Sequence, residues 1–82
     1  MFGLVKKNKD IEQLLRILKM DAANNYKDAV QEDIKRIETE IASQESIGKL
    51  KDNQKKHYEE ILKGLRIQYQ HFTHQEQGKI LF

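Results

Sequence analysis

The sequence contains no cysteine and no proline, and only four of its 82 residues are glycine. The lack of cysteine excludes disulfide frameworks, thiolate metal sites and cysteine nucleophiles. The lack of proline and the low glycine content exclude collagen-like, Pro-rich and Gly-rich linker sequences. No apolar run exceeds three residues, so we expect no transmembrane helix. The first residues lack the pattern of a secretory signal, and we expect a cytoplasmic protein.

The size and composition of the chain predict one small folded domain over residues 1–82. Nineteen Ile, Leu and Val residues and three Phe are too many for a typical disordered chain. A chain of this size buries only about 60% of the surface that its unfolded form exposes, so a single core would be marginal.

The net charge of +2 conceals a separation of charge along the chain. Residues 1–20 carry five basic side chains against two acidic ones, and residues 46–82 carry seven against four. Residues 21–45 carry three basic side chains against seven acidic ones. An acidic middle between basic flanks favours segments that pack against each other over one continuous nucleic-acid surface.

The middle of the chain has the clearest helical pattern. Apolar residues recur at intervals of three and four positions, which places them on one narrow face of an α-helix. These residues are Ala23, Tyr26, Val30, Ile34, Ile37 and Ile41. Charged residues, Asp33 among them, border this face on both sides, as in a helix that packs on one partner in a coiled coil. We predict a helix over about 22–44.

The following segment repeats the pattern and predicts a helix over about 49–74. Its apolar face comprises Ile47, Leu50, Tyr58, Ile61, Leu65, Tyr69 and Phe72. Gln54 is the one polar residue in this stripe. It either fixes the register of the packed helices or marks a wet part of their interface.

The short connection between these helices predicts an antiparallel hairpin. Gly48 can adopt the left-handed conformation that ends a helix. The packing seam of the hairpin would comprise Tyr26, Val30, Ile34, Ile37, Ile41, Leu50, Tyr58, Ile61, Leu65, Tyr69 and Phe72. The alternative is one uninterrupted helix through residue 47, which the absence of proline permits.

The N-terminal part predicts a shorter helix over about 10–20 that folds against the open end of the hairpin. Its apolar face contains Ile11, Leu14, Leu15 and Leu18. Residues 20–25 contain no strong helix breaker, so this helix is either continuous with the next one or separate from it. Apolar tails at 1–5 and 79–82 dock either on the bundle or on a partner.

The predicted fold class is therefore all-α, and we expect it to leave apolar surface uncovered. Small chains that cannot close their own core commonly do so by oligomerising. We predict a homodimeric helical bundle, with another protein as the alternative partner. The candidate partner or dimer contacts are Phe2, Leu14, Leu15, Leu18, Leu62, Ile67, Leu81 and Phe82.

The sequence gives little support for catalysis or metal binding. His71 and His74 are three positions apart, but a catalytic zinc site usually needs three protein ligands. Acidic pairs such as Glu59 and Glu60 fall on solvated helix faces, whereas paired catalytic carboxylates need a pocket. We expect no enzyme activity, no metal and no cofactor.

The favoured function is a small protein–protein interaction module, such as a regulator, adaptor or assembly factor, that acts through aliphatic helix faces. The alternative is a nucleic-acid-binding accessory protein that uses a basic face of the third helix. That face contains Lys49, Lys55, Lys56, Lys63 and Arg66. Acidic residues interrupt the same face, so nucleic acid is a less favoured partner, as is a membrane.

Overall fold

The computed structural model describes residues 6–72, which form three α-helices and no strand. The helices are α1 (Lys9–Ala23), α2 (Lys27–Ser46) and α3 (Asp52–Gln68). The all-α class is therefore confirmed. In this part of the chain, no helix is both long and apolar enough to cross a membrane. The tails predicted at 1–5 and 79–82, with Phe2, Leu81 and Phe82, lie outside the described residues.

A capping motif separates α1 from α2. Asn25 has a φ of 62°, a left-handed conformation that asparagine tolerates better than most residues. The Tyr26 N–H donates to the Asp21 carbonyl at 2.9 Å, and the Asn25 N–H donates to the Ala22 carbonyl at 3.1 Å. Together these bonds form a Schellman motif. The first two helices are thus separate, and α2 begins at Lys27 instead of residue 22.

The same motif ends α2. Gly48 has a φ of 77°, and its N–H donates to the Glu45 carbonyl at 3.1 Å. The Lys49 N–H donates to the Gln44 carbonyl at 2.9 Å. The predicted role of Gly48 as a helix terminator is confirmed, and the alternative of one uninterrupted helix is wrong.

Helix α3 is shorter than predicted at both ends. It begins at Asp52 because Lys51 is extended, with φ −79° and ψ 160°, and the Gln54 side chain accepts the Lys51 N–H at 2.9 Å. It ends at Gln68. The Gln31 side chain then donates to the carbonyls of Tyr69, at 2.8 Å, and Phe72, at 3.1 Å, in the turn that follows. Residues 73–74 of the predicted range lie outside the described residues.

Helices α1 and α3 both pack on α2. The start of α3 lies beside the end of α2, where Lys55 bonds Glu45 at 2.7 Å. The chain after α3 meets Gln31 near the start of α2, so α2 and α3 run in opposite directions. The Asn8 side chain, at the start of α1, donates to Gln44 near the end of α2. Helix α1 therefore extends along α2 instead of covering only one end of it.

All three helices and the connection before α3 contribute to one core. Its nine buried apolar residues are Ile11, Leu18, Val30, Ile34, Ile37, Ile41, Leu50, Tyr58 and Leu62. Four further members of the predicted seam pack partly buried against this cluster, namely Ile61, Leu65, Tyr69 and Phe72.

Three predicted positions need correction. Tyr26, placed in the seam by its spacing, is 58% exposed because it is the N-cap of α2, directly after the left-handed Asn25. Leu18 and Leu62, predicted as partner contacts, are only 1% and 4% exposed. They are buried in the protein's own core because α1 and α3 each turn them toward α2 and the rest of the hydrophobic cluster.

We predict that Ile37→Asp unfolds the domain. Ile37 is 1% exposed, and an unpaired carboxylate there would cost several kcal/mol, comparable to the whole stability of a small domain. Glu32→Ala, on the exposed side of α2, should change the melting temperature by little. Similar melting temperatures for the two variants in circular dichroism would contradict this core.

Candidate functional site

A groove of about 310 Å³ runs between α1 and α3. Its apolar lining consists of Leu15, Leu18, Ile61 and Leu65. Of these only Leu18 is fully buried, and the other three are half-buried. The groove exists because α1 and α3 lie on α2 without packing closely on each other. Three aliphatic side chains therefore remain partly open to solvent along one channel.

The rim of this groove is mainly basic. Three basic residues line it on the α1 side, namely Lys7, Arg16 and Lys19, together with the acidic residue Glu12. His57 lines the α3 side. An apolar floor between polar walls is the usual composition of a surface that takes an amphipathic helix.

A larger hollow of about 610 Å³ lies between α2 and α3, but the large apolar side chains that line it are almost fully buried. The apolar residues Ile41 and Leu62 there are each only 4% exposed. Ion pairs join the two helices across it, from Lys55 to Glu45 and from Arg66 to Glu38. The groove between α1 and α3 is therefore the better candidate for a partner.

The remaining predicted contacts do not gather on this groove. Leu14 lines a shallow hollow with charged residues of α2, such as Glu32 and Arg36. Ile67 is 63% exposed on α3 and does not line the groove. Of the predicted contact set that the structure describes, only Leu15 and Leu18 lie at the groove. The half-buried seam residues Ile61 and Leu65 line the α3 side of the groove.

The basic face predicted for the third helix is partly neutralised. Lys55 is bonded to Glu45, and this carboxylate raises the pKa of the lysine. Arg66 is paired with Glu38. Lys56 and Lys63 are exposed, whereas Lys49 precedes α3 and lines a cleft at the end of the molecule. These five residues therefore do not form one continuous unpaired stripe.

A buried polar network closes the end of the groove where α1 and α3 begin. The Tyr58 hydroxyl accepts the Asn8 N–H at 2.9 Å and donates to a Glu12 carboxylate oxygen at 2.7 Å. The ring of Tyr58 is 1% exposed. Burial raises the pKa of Tyr58, and the bond to Glu12 adds to this effect while the bond from Asn8 opposes it. The phenol is thus held neutral as a link between α1 and α3.

The glutamines Gln44 and Gln54 extend the network on either side. Gln44 is 4% exposed, and its amide group donates to Asp10 at 3.0 Å and to Glu40 at 2.7 Å. The Gln54 amide donates to the Lys6 carbonyl at 2.7 Å. Each of these bonds either joins the N-terminal segment to another helix or orients a side chain that makes such a bond. The network therefore fixes where α1 starts.

Sequence reasoning placed Gln54 in the seam but missed Gln44, Glu12 and the bond between Asn8 and Tyr58. Gln44 continues the apolar spacing of α2, because it follows Ile41 by three positions. That spacing was a usable signal for its burial. No comparable signal marks the bonds of Asn8 and Glu12 to Tyr58, since these bonds join positions about fifty residues apart.

Asp33 of α2 is a further buried polar residue, beside Asp21 of α1. It is 4% exposed, and its Oδ2 atom meets no hydrogen-bond donor among residues 6–72. Burial raises the pKa of Asp33 from 3.8 to about 6, and hydrogen bonding and repulsion from Asp21 add to the rise. Arg36 opposes the rise, and Glu32 adds slightly to it. Because two carboxyl groups can bond only through a shared proton, the neighbouring Asp21 carboxyl favours the protonated form of Asp33.

The described residues contain no group of three or more His, Asp or Glu side chains that could hold a metal ion. The groove itself offers aliphatic side chains, a mainly basic rim and a polar network at one end.

We predict that Tyr58→Phe lowers the free energy of unfolding by about 1–3 kcal/mol. The change leaves the Asn8 N–H without its acceptor and removes a charge-assisted bond to Glu12. Tyr26→Phe is the matched control, because Tyr26 is 58% exposed and should tolerate the change. Urea titration of both variants measures the difference, and equal midpoints would mean that the hydroxyl network adds no stability.

We predict that Asp33→Asn stabilises the fold at neutral pH. The raised pKa means that ionised Asp33 opposes folding above about pH 6. A shift from 3.8 to about 6 corresponds to at most about 3 kcal/mol. The parent should regain this stability as the pH falls from about 6 toward 3.8, so the advantage of the variant should shrink over that range.

Chemical denaturation of parent and Asp33→Asn at a series of pH values tests this. Asp28→Asn, at an exposed position in the first turn of α2, is the control for removal of one carboxylate. An advantage of Asp33→Asn that stays constant from about pH 7.5 to about pH 4.5 would show that the ionisation of Asp33 is not linked to folding.

Comparison of the chain with protein-family models, with curated protein sequences and with solved structures finds no match. The proposals that follow therefore depend on the geometry and charges of the described residues.

Proposed function

We propose that the protein is a small interaction module that binds the apolar face of a partner helix in the groove between α1 and α3. The observation that supports this most is the set of three half-buried aliphatic residues, Leu15, Ile61 and Leu65, along one channel. A helix laid in such a groove would remove this surface from water, at roughly 25 cal/mol per Å². The proposed action needs neither catalysis nor a cofactor.

The first partner that we propose is a second copy of the chain, in a dimeric helical bundle. The nine buried apolar side chains among residues 6–72 form a small core, and domains of this size often gain stability by associating. A two-fold axis would place the same groove on both sides of the interface. The other occupant would be a helix from a different protein, with acidic residues to match Lys7, Arg16 and Lys19 on the rim.

We predict that Leu65→Gln weakens self-association and leaves the fold intact, because Leu65 is half-buried at the groove. Ile67→Gln is the matched control: it makes a comparable apolar-to-amide change on α3, at a residue 63% exposed that does not line the groove. Light scattering coupled to size exclusion, over a concentration series, measures the mass. Circular dichroism confirms that both variants fold.

The expected result is a concentration-dependent dimer that Leu65→Gln shifts toward monomer more than Ile67→Gln does. A greater effect of Ile67→Gln would place the interface on the outer side of α3. A parent that is monomeric and melts cooperatively at every concentration would contradict the dimer and the need for a partner, since three helices would then close a sufficient core alone.

A further inference from the structure

The end of the molecule where α1 and α3 begin carries a cleft of about 490 Å³. Five lysines from two distant parts of the sequence line it: Lys6, Lys7, Lys9, Lys49 and Lys51. The bond from the Gln54 side chain to the Lys6 carbonyl holds the two segments together. The fold thus concentrates a third of the chain's fifteen basic residues in one place.

None of these five lysines takes part in the ion pairs among residues 6–72, which are Lys55 with Glu45 and Arg66 with Glu38. No carboxylate of residues 6–72 lines the cleft. Asp10 accepts a bond from Gln44, and Asp52 lines a separate hollow with Lys55. Like charges brought together repel one another, so these lysines give the cleft a positive potential.

The uncharged part of the lining identifies the class of ligand. Among residues 6–72 it consists of Asn8, Gly48, Asn53 and Gln54, and none of these is an apolar side chain. Protein partners usually anchor through buried aromatic or aliphatic residues, which residues 6–72 do not supply to this cleft. Phosphate backbones are instead held by lysines and by amide side chains.

We propose that this cleft binds the phosphate backbone of a nucleic acid, independently of base sequence. Lysine acts as a point charge on a flexible stem and neutralises phosphates without fixed geometry. The site lies apart from the groove proposed for helix binding: of the five lysines, only Lys7 also lines that groove. It also differs from the basic face of α3, because Lys49 is the one residue that they share.

The test is fluorescence anisotropy with a labelled single-stranded RNA of mixed sequence and a second strand of scrambled sequence. The cleft variant combines Lys9→Gln, Lys49→Gln and Lys51→Gln. The control combines Lys35→Gln, Lys56→Gln and Lys63→Gln, which lie at exposed positions outside the cleft. Both variants lose three positive charges, so an effect of net charge alone would affect them equally.

We expect the parent to bind both strands alike at about 50 mM salt, with affinity that falls steeply by 200 mM. At the lower salt the cleft variant should bind at least about tenfold more weakly than the parent. Its plot of log K against log salt should be less steep by about 2, because each of the three lost phosphate contacts contributes about 0.7 to the slope. The control should stay within about threefold of the parent.

Equal losses in the two variants would overturn the proposal, as would a parent that does not bind RNA at about 50 mM salt. A polyglutamate peptide that displaces the RNA as well as an unlabelled strand of equal charge would also overturn it, because the ligand would then be an acidic protein segment. Circular dichroism of the two variants, matched to the parent, excludes loss of the fold as the cause.

Discussion

Helix α2 must bury two of its sides at once, because α1 and α3 both pack on it and not closely on each other. The buried arc of α2 is therefore wider than its apolar stripe. Ile37 and Ile41 lie in the middle of that arc, while Asp33 and Gln44 are also buried. The two polar residues differ in their neighbours. The Gln44 side chain donates hydrogen bonds to two carboxylates, whereas Asp33 lies beside the carboxyl group of Asp21, which repels it.

The same arrangement creates the two candidate binding surfaces. Helices α1 and α3 run in the same direction along α2, and Tyr58 links them near their starts. Beyond this link the space between them remains as the groove, with half-buried Leu15 and Leu65 on its walls. At the linked end, the segments that precede α1 and α3 are brought side by side, and their lysines line the cleft.

Local pattern was sufficient to predict the helices, and the left-handed Gly48 between α2 and α3. It was not sufficient for features that depend on a third element. The periodicity of α2 indicated one partner helix, so Asp33 was expected at the border of the stripe and Gln44 was missed. Tyr26 matched the spacing of the seam, but the cap at Asn25 ends α1 just before it and leaves it exposed.

The placement of predicted surface residues failed for the same reason. Leu62 was assigned to a partner because a hairpin covered only at its open end would leave it exposed, and Leu18 was assigned there with the rest of the apolar face of α1. In the structure α1 lies along most of α2, and both leucines belong to the protein's own core. Charge patterns were also ambiguous, since Lys55 and Arg66 were candidate phosphate contacts and are paired with carboxylates across helices in the fold.

Native-state amide hydrogen exchange tests most directly whether α2 is covered on both sides. Amides whose opening requires global unfolding exchange slowest. We expect the slowest exchange in the middle of α2, around Ile34 and Ile37, with α1 protected in the same cooperative unit. Exchange of α1 at the rate of an unfolded peptide, while α2 and α3 stay protected, would show that α1 does not cover α2 and would contradict this arrangement.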